Sequence, residues 1–141
     1  MATFTKFQDY VEQVNKGVHI WSSHTFKEML TNSAPVNTNT IAANLTDISA
    51  GNGYSAGGMT LDTVTLSEAS GTAKVTIADE ILPASGGSIG PFRYPVIYND
   101  TATSPADALV CFFDYGSSIT LANGETFTTD FDPTNGLWQM A

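Results

Sequence analysis

Residues 51 to 56 read GNGYSA and satisfy Gly-x-Gly-x-x-Gly/Ala, the spacing with which a backbone loop wraps a dinucleotide pyrophosphate. That chemistry needs a buried strand ahead of the first glycine and a helix opening at the last, so that the helix N-terminus meets the phosphates. Here the short polar stretch NLTDISA stands before Gly51. After Ala56 come Gly57, Gly58 and the strand-like MTLDTVTL, with no βαβ alternation downstream. The glycines are therefore expected to turn the chain, by positive φ or close backbone approach, while the ring of Tyr54 packs down to anchor the loop.

The other reactive residue types are scattered. His19 and His24 flank IWSS without a third ligand nearby, and Cys111 is far off in sequence, so zinc is not expected and both histidines read as surface or interface residues. Cys111, the only cysteine, lies in the apolar run LVCFFDY, which suits an inert core thiol and allows no intrachain disulfide. No Gly-x-Ser-x-Gly elbow accompanies the serines. DFDPTNG, 130 to 136, opens like a calcium loop with Asp130 and Asp132. The next ligand falls at Asn135 and no bidentate glutamate follows, so an Asx turn led by Asp132-Pro133 is the simpler reading. Asp79 and Glu80 are adjacent and would face opposite ways on a strand. No catalytic, cofactor-binding or metal residue is assigned, and no cofactor is expected. Phe92, Arg93, Tyr94 and Tyr98, within ASGGSIGPFRYPVIYND, combine rings with an arginine as interface centres do, although strand cores use the same rings. An aromatic platform for a sugar, drawing also on Tyr54, is the sharper alternative.

Elements must position these residues. The 141 residues are enough for one domain with a real core, 1 to 141, and too few for two ordinary ones. Apolar residues make up 42% and charged residues only 13%, with Thr, Ser, Asn and Gly filling the rest, the usage of a β protein rich in turns. The net charge of -9 is unevenly placed. Asp9, Glu12 and Glu28 balance Lys6, Lys16 and Lys27, so the excess lies beyond residue 28, where only Lys74 and Arg93 are basic. Such a surface repels phosphate backbones and anionic lipid, which argues against nucleic-acid and membrane partners. No stretch approaches bilayer-spanning length, and MATFTKFQDY lacks a long apolar segment behind a basic one, so synthesis in the cytoplasm is expected.

Phe4, Phe7, Val11 and Val14 recur at spacings of three and four, which predicts a helix from about 4 to 16, capped by Thr3 or Thr5 and closed by Gly17. The remainder, 25 to 140, forms a β body. TFKEMLT places Phe26, Glu28 and Leu30 on one side. A polar connector, 32 to 58, follows, in which Ile41, Leu45 and Ile48 pin a short helical turn or edge strand. LDTVTL and AKVTIAD make a hairpin around SEASG. RYPVIYND and ALVCFFDYG supply further strands. Asn123-Gly124 predicts a hairpin between the runs holding Ile119 and Leu121 and Phe127 to Phe131, and Asn135-Gly136 turns the chain into LWQM. Seven or eight short strands after one helix make the fold mainly β: an antiparallel β-sandwich or jelly-roll-like barrel with one N-terminal α-helix.

The ordered blocks GVHIWSSHTFKEMLTNSAP, DISAGNGYSAGG, ASGGSIGPFRYPVIYND and DYGSSITLANGETFTTDFDPTNG resemble a family of small structural proteins of tailed bacteriophages, over nearly the whole chain. The resemblance implies a virion component of the capsid decoration, cement or minor structural kind. Its expected partners are the major capsid protein and other copies of itself, as a homotrimer or other homo-oligomer; its expected place is the capsid surface, after synthesis in the host bacterium. A tail or head-tail joining component, or a glycan-binding module on the particle, is the alternative. It carries no active-site residues. On this reading the contact candidates are the helix stripe Phe4, Phe7, Val11 and Val14, the adjoining Ile20 and Trp21, and the cluster Phe92, Arg93, Tyr94 and Tyr98.

Overall fold

A computed structural model of the chain describes residues 2 to 141. Among these are one α-helix, one 3-10 turn at Ala42–Asn44 and twelve strands. The main sheet has five strands in the order β1 (Thr3–Lys6), β9 (Ala106–Asp114), β8 (Tyr94–Thr103), β2 (Phe26–Thr31) and β3 (Met59–Thr60), with every pairing antiparallel. A second layer is built in pieces. A three-stranded sheet has the order β12 (Trp138–Met140), β5 (Thr72–Thr76), β4 (Thr65–Ala69). Two ribbons complete it, one pairing β6 (Glu80–Pro83) with β11 (Thr126–Thr129), the other β7 (Ile89–Phe92) with β10 (Ile119–Leu121). The result is a sandwich-like, mainly β fold that does not close into a barrel.

The core lies where these layers meet. Phe26, Ile97, Val110 and Cys111 of the main sheet pack on Val75, Ile77 and Phe131, while Leu30 meets Leu82, Ile89, Phe92 and Leu121. In β9 the pairing shifts between Cys111, opposite Ile97, and Leu109, opposite Tyr98, so Val110 is an extra residue. A bulge of this kind lets neighbouring side chains share a face. Val110 and Cys111 accordingly both enter the same cluster, and LVCFF is apolar without alternating. The opposite face of the main sheet carries Met29, Tyr94, Val96, Tyr98, Leu109 and Phe112 and is covered by Phe7, Ala42 and Leu45.

Two expectations need correction. The predicted helix 4 to 16 is a strand followed by a helix of seven residues, α1 (Asp9–Asn15). An isolated helix of that length is marginal in water. Thr3–Lys6 instead bonds along the free edge of β9, and Thr-Phe-Thr-Lys suits a half-covered edge strand as well as its spacing suits a helix. The buried face of α1 is Tyr10 and Gln13 rather than the stripe through Val11. Its C-terminus does end as expected: Gly17 has φ +76°, and Gly17 N–H and Val18 N–H donate back to the Val14 and Gln13 carbonyls at 3.1 and 2.9 Å.

The Asn123-Gly124 turn forms, but its arms do not pair with each other. Glu125 N–H closes the turn on the Ala122 carbonyl at 2.9 Å. Gly124 N–H donates to the Ala84 carbonyl and Gly86 N–H to Asn123 Oδ1. The turn is thus bonded to the bend joining β6 to β7, and the two hairpins open and exchange arms. The hairpin expected between 61 to 66 and 73 to 79 forms with shifted bounds: β4 takes in Ser67, Glu68 and Ala69 of the expected loop SEASG, the turn is Ser70-Gly71 with Ala69 opposite Thr72, and 61 to 64 lies outside the strand.

Strand β2 positions the glycine-rich stretch. Its backbone groups at Phe26 and Leu30 point away from β8 into the segment 48 to 61. Leu61 N–H donates to the Phe26 carbonyl at 2.9 Å, and Ile48 N–H to the Leu30 carbonyl at 3.0 Å. Gly58 lies so close to β2 that an added Cβ would collide with the Glu28 carbonyl, and its φ is +92°. Gly58→Ala is expected to lower stability by about 2–4 kcal/mol, because it adds both overlap and left-handed strain. Ser55→Ala, at an exposed position of the same loop, should stay within about 0.5 kcal/mol. Urea unfolding of both variants checks the contrast.

Candidate functional site

GNGYSA makes a tight turn with no mouth for a nucleotide. Gly51 and Tyr54 exchange backbone hydrogen bonds at 2.8 and 3.1 Å across Asn52 and Gly53, whose φ angles are 58° and 110°. A Cβ on Gly53 would meet the Pro83 carbonyl at 2.5 Å, so the glycine is needed for contact with β6. Tyr54 is buried. Its hydroxyl accepts from Leu30 N–H at 2.9 Å and donates to Asp47 Oδ1, while Asp47 Oδ2 accepts from Gly57 N–H at 2.7 Å. Tyr98 completes the seal, its hydroxyl donating to the Gly57 carbonyl at 2.6 Å. Burial and the Asp47 bond together hold the Tyr54 phenol far above its ordinary range. Both expectations for this stretch hold.

The histidines meet through a residue that sequence reading passed over. Asn99, fully buried, accepts at Oδ1 from Thr101 and Ala102 N–H at 3.0 and 3.2 Å, which fixes the orientation of its amide. Its Nδ2 therefore faces the Val18 carbonyl at 3.1 Å, His19 Nδ1 at 3.3 Å and His24 Nδ1 at 3.0 Å. Both Nδ1 atoms lie within hydrogen-bond distance of this one amide, and His19 Nε2 is buried without a partner among the described residues. Burial, and then the neighbouring His24, lower the His19 pKa to about 4. His19 is thus an interior residue between the Tyr10 and Phe26 rings, in place of the expected surface histidine. No group of three or more His, Cys, Asp or Glu side chains that could hold a metal occurs among the described residues.

Glu28 is the second interior polar group. It faces inward with Phe26 and Leu30 and has no exposed surface. Thr129 Oγ1 donates to its Oε1 at 2.7 Å, and its Oε2 has no partner among the described residues. Burial pushes its pKa up to about 8, with Glu80 adding repulsion against the partial help of Thr129. The same burial, with Glu28 as neighbour, raises the Cys111 thiol, which makes it unreactive as expected. In the 130 to 136 stretch Asp132 leads an Asx turn, accepting from Thr134 and Asn135 N–H at 2.7 and 2.9 Å.

The expected contact residues divide by exposure. Phe7, Trp21, Phe92, Tyr94 and Tyr98 are buried within the single chain and offer no contact surface, because a chain of this size spends its large rings on its own core. Trp21 stacks on Phe26 at 3.8 Å and donates to the Tyr10 hydroxyl at 2.8 Å. Arg93 grips Asp114 through Nε and Nη2 at 2.7 and 3.0 Å, a forked ion pair that holds the Asp114 carboxyl below its usual range. Phe4, Val11 and Ile20 do reach solvent, at 44, 49 and 43% exposure, and Val14 is half-buried. With Tyr54, Phe92, Tyr94 and Tyr98 all inside, none of the rings proposed for a sugar platform is accessible.

Open grooves lie at the surface, and two of them join segments from opposite ends of the chain. The larger of these two, about 670 Å³, is lined by Ala2, Phe113, Tyr115, Phe127, Asp130 and Asp132 among others. The smaller, about 190 Å³, runs between α1 and β12 and is lined by Lys6, Val11, Val14, Trp138 and Met140. Sequence periodicity carried no sign of either, since each joins segments from opposite ends of the chain. No helix among the described residues is long and apolar enough to cross a membrane. No protein-family model, no curated protein and no solved structure matches the chain.

Glu28 gives stability a defined pH dependence. Its folded pKa lies above its unfolded value, so the folded state binds the extra proton, and stability falls as pH rises from the ordinary carboxylate range through about 8. His19 acts oppositely, its contribution being lost as pH falls from 6.5 toward about 4. Between pH 6.5 and 8, therefore, the chain should lose stability relative to Glu28→Gln, at up to about 1.4 kcal/mol per pH unit. Parallel slopes in denaturant titrations of the two proteins would contradict it.

Proposed function

We propose that the chain is a structural component of the particle of a tailed bacteriophage, decorating or cementing the capsid through protein-protein contacts and self-association. The observation that carries this reading is the distribution of surface apolar groups. Of the eight large apolar side chains exposed among the described residues, Phe4, Val11 and Ile20 lie within the first twenty residues and Met140 lines the groove beside Val11, while Val36, Leu66, Ile81 and Tyr115 lie elsewhere on the body. Beyond residue 28 the chain holds eleven acids against two bases. Apolar side chains exposed on an otherwise acidic, polar surface suit contact with protein surfaces, and we assign that contact to the N-terminal group with Met140. The four ordered blocks that resemble phage structural proteins point the same way. The major capsid protein and further copies of this chain are then its partners.

Because Phe7 and Tyr10 are core residues, deleting the N-terminal segment would unfold the body, and surface substitutions make the cleaner test. A Phe4→Ser, Val11→Ser, Ile20→Ser variant is expected to remain folded, with roughly 0.5 kcal/mol lost per site. It should no longer co-sediment with particles assembled without the protein, whereas the parent chain should. Binding by the triple variant equal to the parent's would refute the reading.

A further inference from the structure

Strand β1 leaves one edge of the main sheet open. Phe7 N–H donates to the Val110 carbonyl at 3.1 Å, continuing the β1–β9 ladder. Thr3 and Thr5, in phase with Phe7, therefore turn their backbone groups toward β9, while Phe4 and Lys6 turn theirs outward. Among the described residues neither finds a backbone partner on that outer side. An edge of this kind is a template for another strand.

The ends of this edge differ in charge. At the Ala2 end lies the large groove with Asp130 and Asp132, and at the other end stands exposed Lys6 beside the groove holding Val11 and Met140. Parallel addition of a like strand would set lysine beside lysine, which is unfavourable. Antiparallel addition about a two-fold axis swaps the ends and carries each Lys6 past Phe4 toward the acidic groove of the other copy.

We propose that the occupant of this edge is a second copy of the chain, its β1 pairing antiparallel with β1 across a two-fold axis at Thr5. Phe4 then exchanges backbone hydrogen bonds with Lys6 of the partner subunit, and the exposed Phe4 ring packs beneath the stem of that lysine. The contact is self-complementary, as a two-fold interface must be. This inference rests on the self-association part of the proposed function and names the surface that performs it.

The test is sedimentation equilibrium of the full chain at low salt across a wide concentration range. The parent should form a reversible dimer. Lys6→Glu and Asp130→Lys, both at exposed positions, should each weaken it at least about tenfold by placing like charges together. The double variant, with the charges exchanged, should recover to within a few-fold of the parent, which no folding defect would mimic. A chain that stays monomeric throughout, a dimer indifferent to both single changes, or a double variant no better than its parents would overturn the proposal. A dimer that fails to bind particles would sink the particle reading alone, and a monomer that binds them would sink this one alone.

Discussion

Strand β2 has two hydrogen-bonding edges and one full-length partner, and the way its second edge is satisfied organises the fold. On one side β8 pairs with it from Phe26 to Thr31. On the other, β3 reaches only Lys27 and Glu28. The remaining groups are met by Leu61, Ile48 and the hydroxyl of Tyr54, a side chain standing in for a missing strand. An unpaired buried backbone group costs about 1–3 kcal/mol, so a loop that closes this edge contributes to stability as much as a piece of core does. The glycines follow from that need. Gly58 allows the loop to touch β2, Gly53 allows it to touch β6, and Asp47 ties the Tyr54 hydroxyl to the Gly57 amide. A pattern that elsewhere opens a phosphate site here shuts a sheet edge.

The interior behind β2 is more polar than the count of apolar residues would lead one to expect. Glu28 sits between the layers with a single hydroxyl partner, and Asn99 gathers two histidines and a carbonyl. Glu28 has no exposed surface, and the two imidazoles both meet one amide. The neutral acid is the cheaper form to bury, which is why its proton is retained to about pH 8. These groups bias which pH the fold tolerates.

Local signals in the sequence were legible and long-range pairings were not. Strands β2, β8 and β9 and the 65 to 76 hairpin follow from β-branched and aromatic runs bounded by turn residues. The alternation set Glu28 on the same side as Phe26 and Leu30, and only the structure shows that side to be the inward one, against the usual habit of a glutamate. Three features misled. Thr3–Lys6 fits a helical stripe and an edge strand equally well, and only the free edge of β9, a hundred residues later, decides between them. Asn123-Gly124 announced a turn correctly, but its arms pair with β6 and β7, short runs whose identity as strands depends on that exchange. The rings at 92, 94 and 98 could serve a core or an interface by composition alone, and burial assigned them to the core. Nothing local tied His19 and His24 to Asn99, which joins them from across the chain.

The 48 to 61 segment seals β2 as an integral part of the sheet. Amide hydrogen exchange at Leu30 tests it most directly, because that N–H is held by the Tyr54 hydroxyl rather than by a strand. If the loop is an integral part of the sheet, Leu30 exchanges as slowly as the central amides of β8 and β9, only on global unfolding, and Tyr54→Phe releases it by orders of magnitude. Rapid exchange at Leu30 in the parent chain, or protection there that appears only when a nucleotide is added, would contradict it.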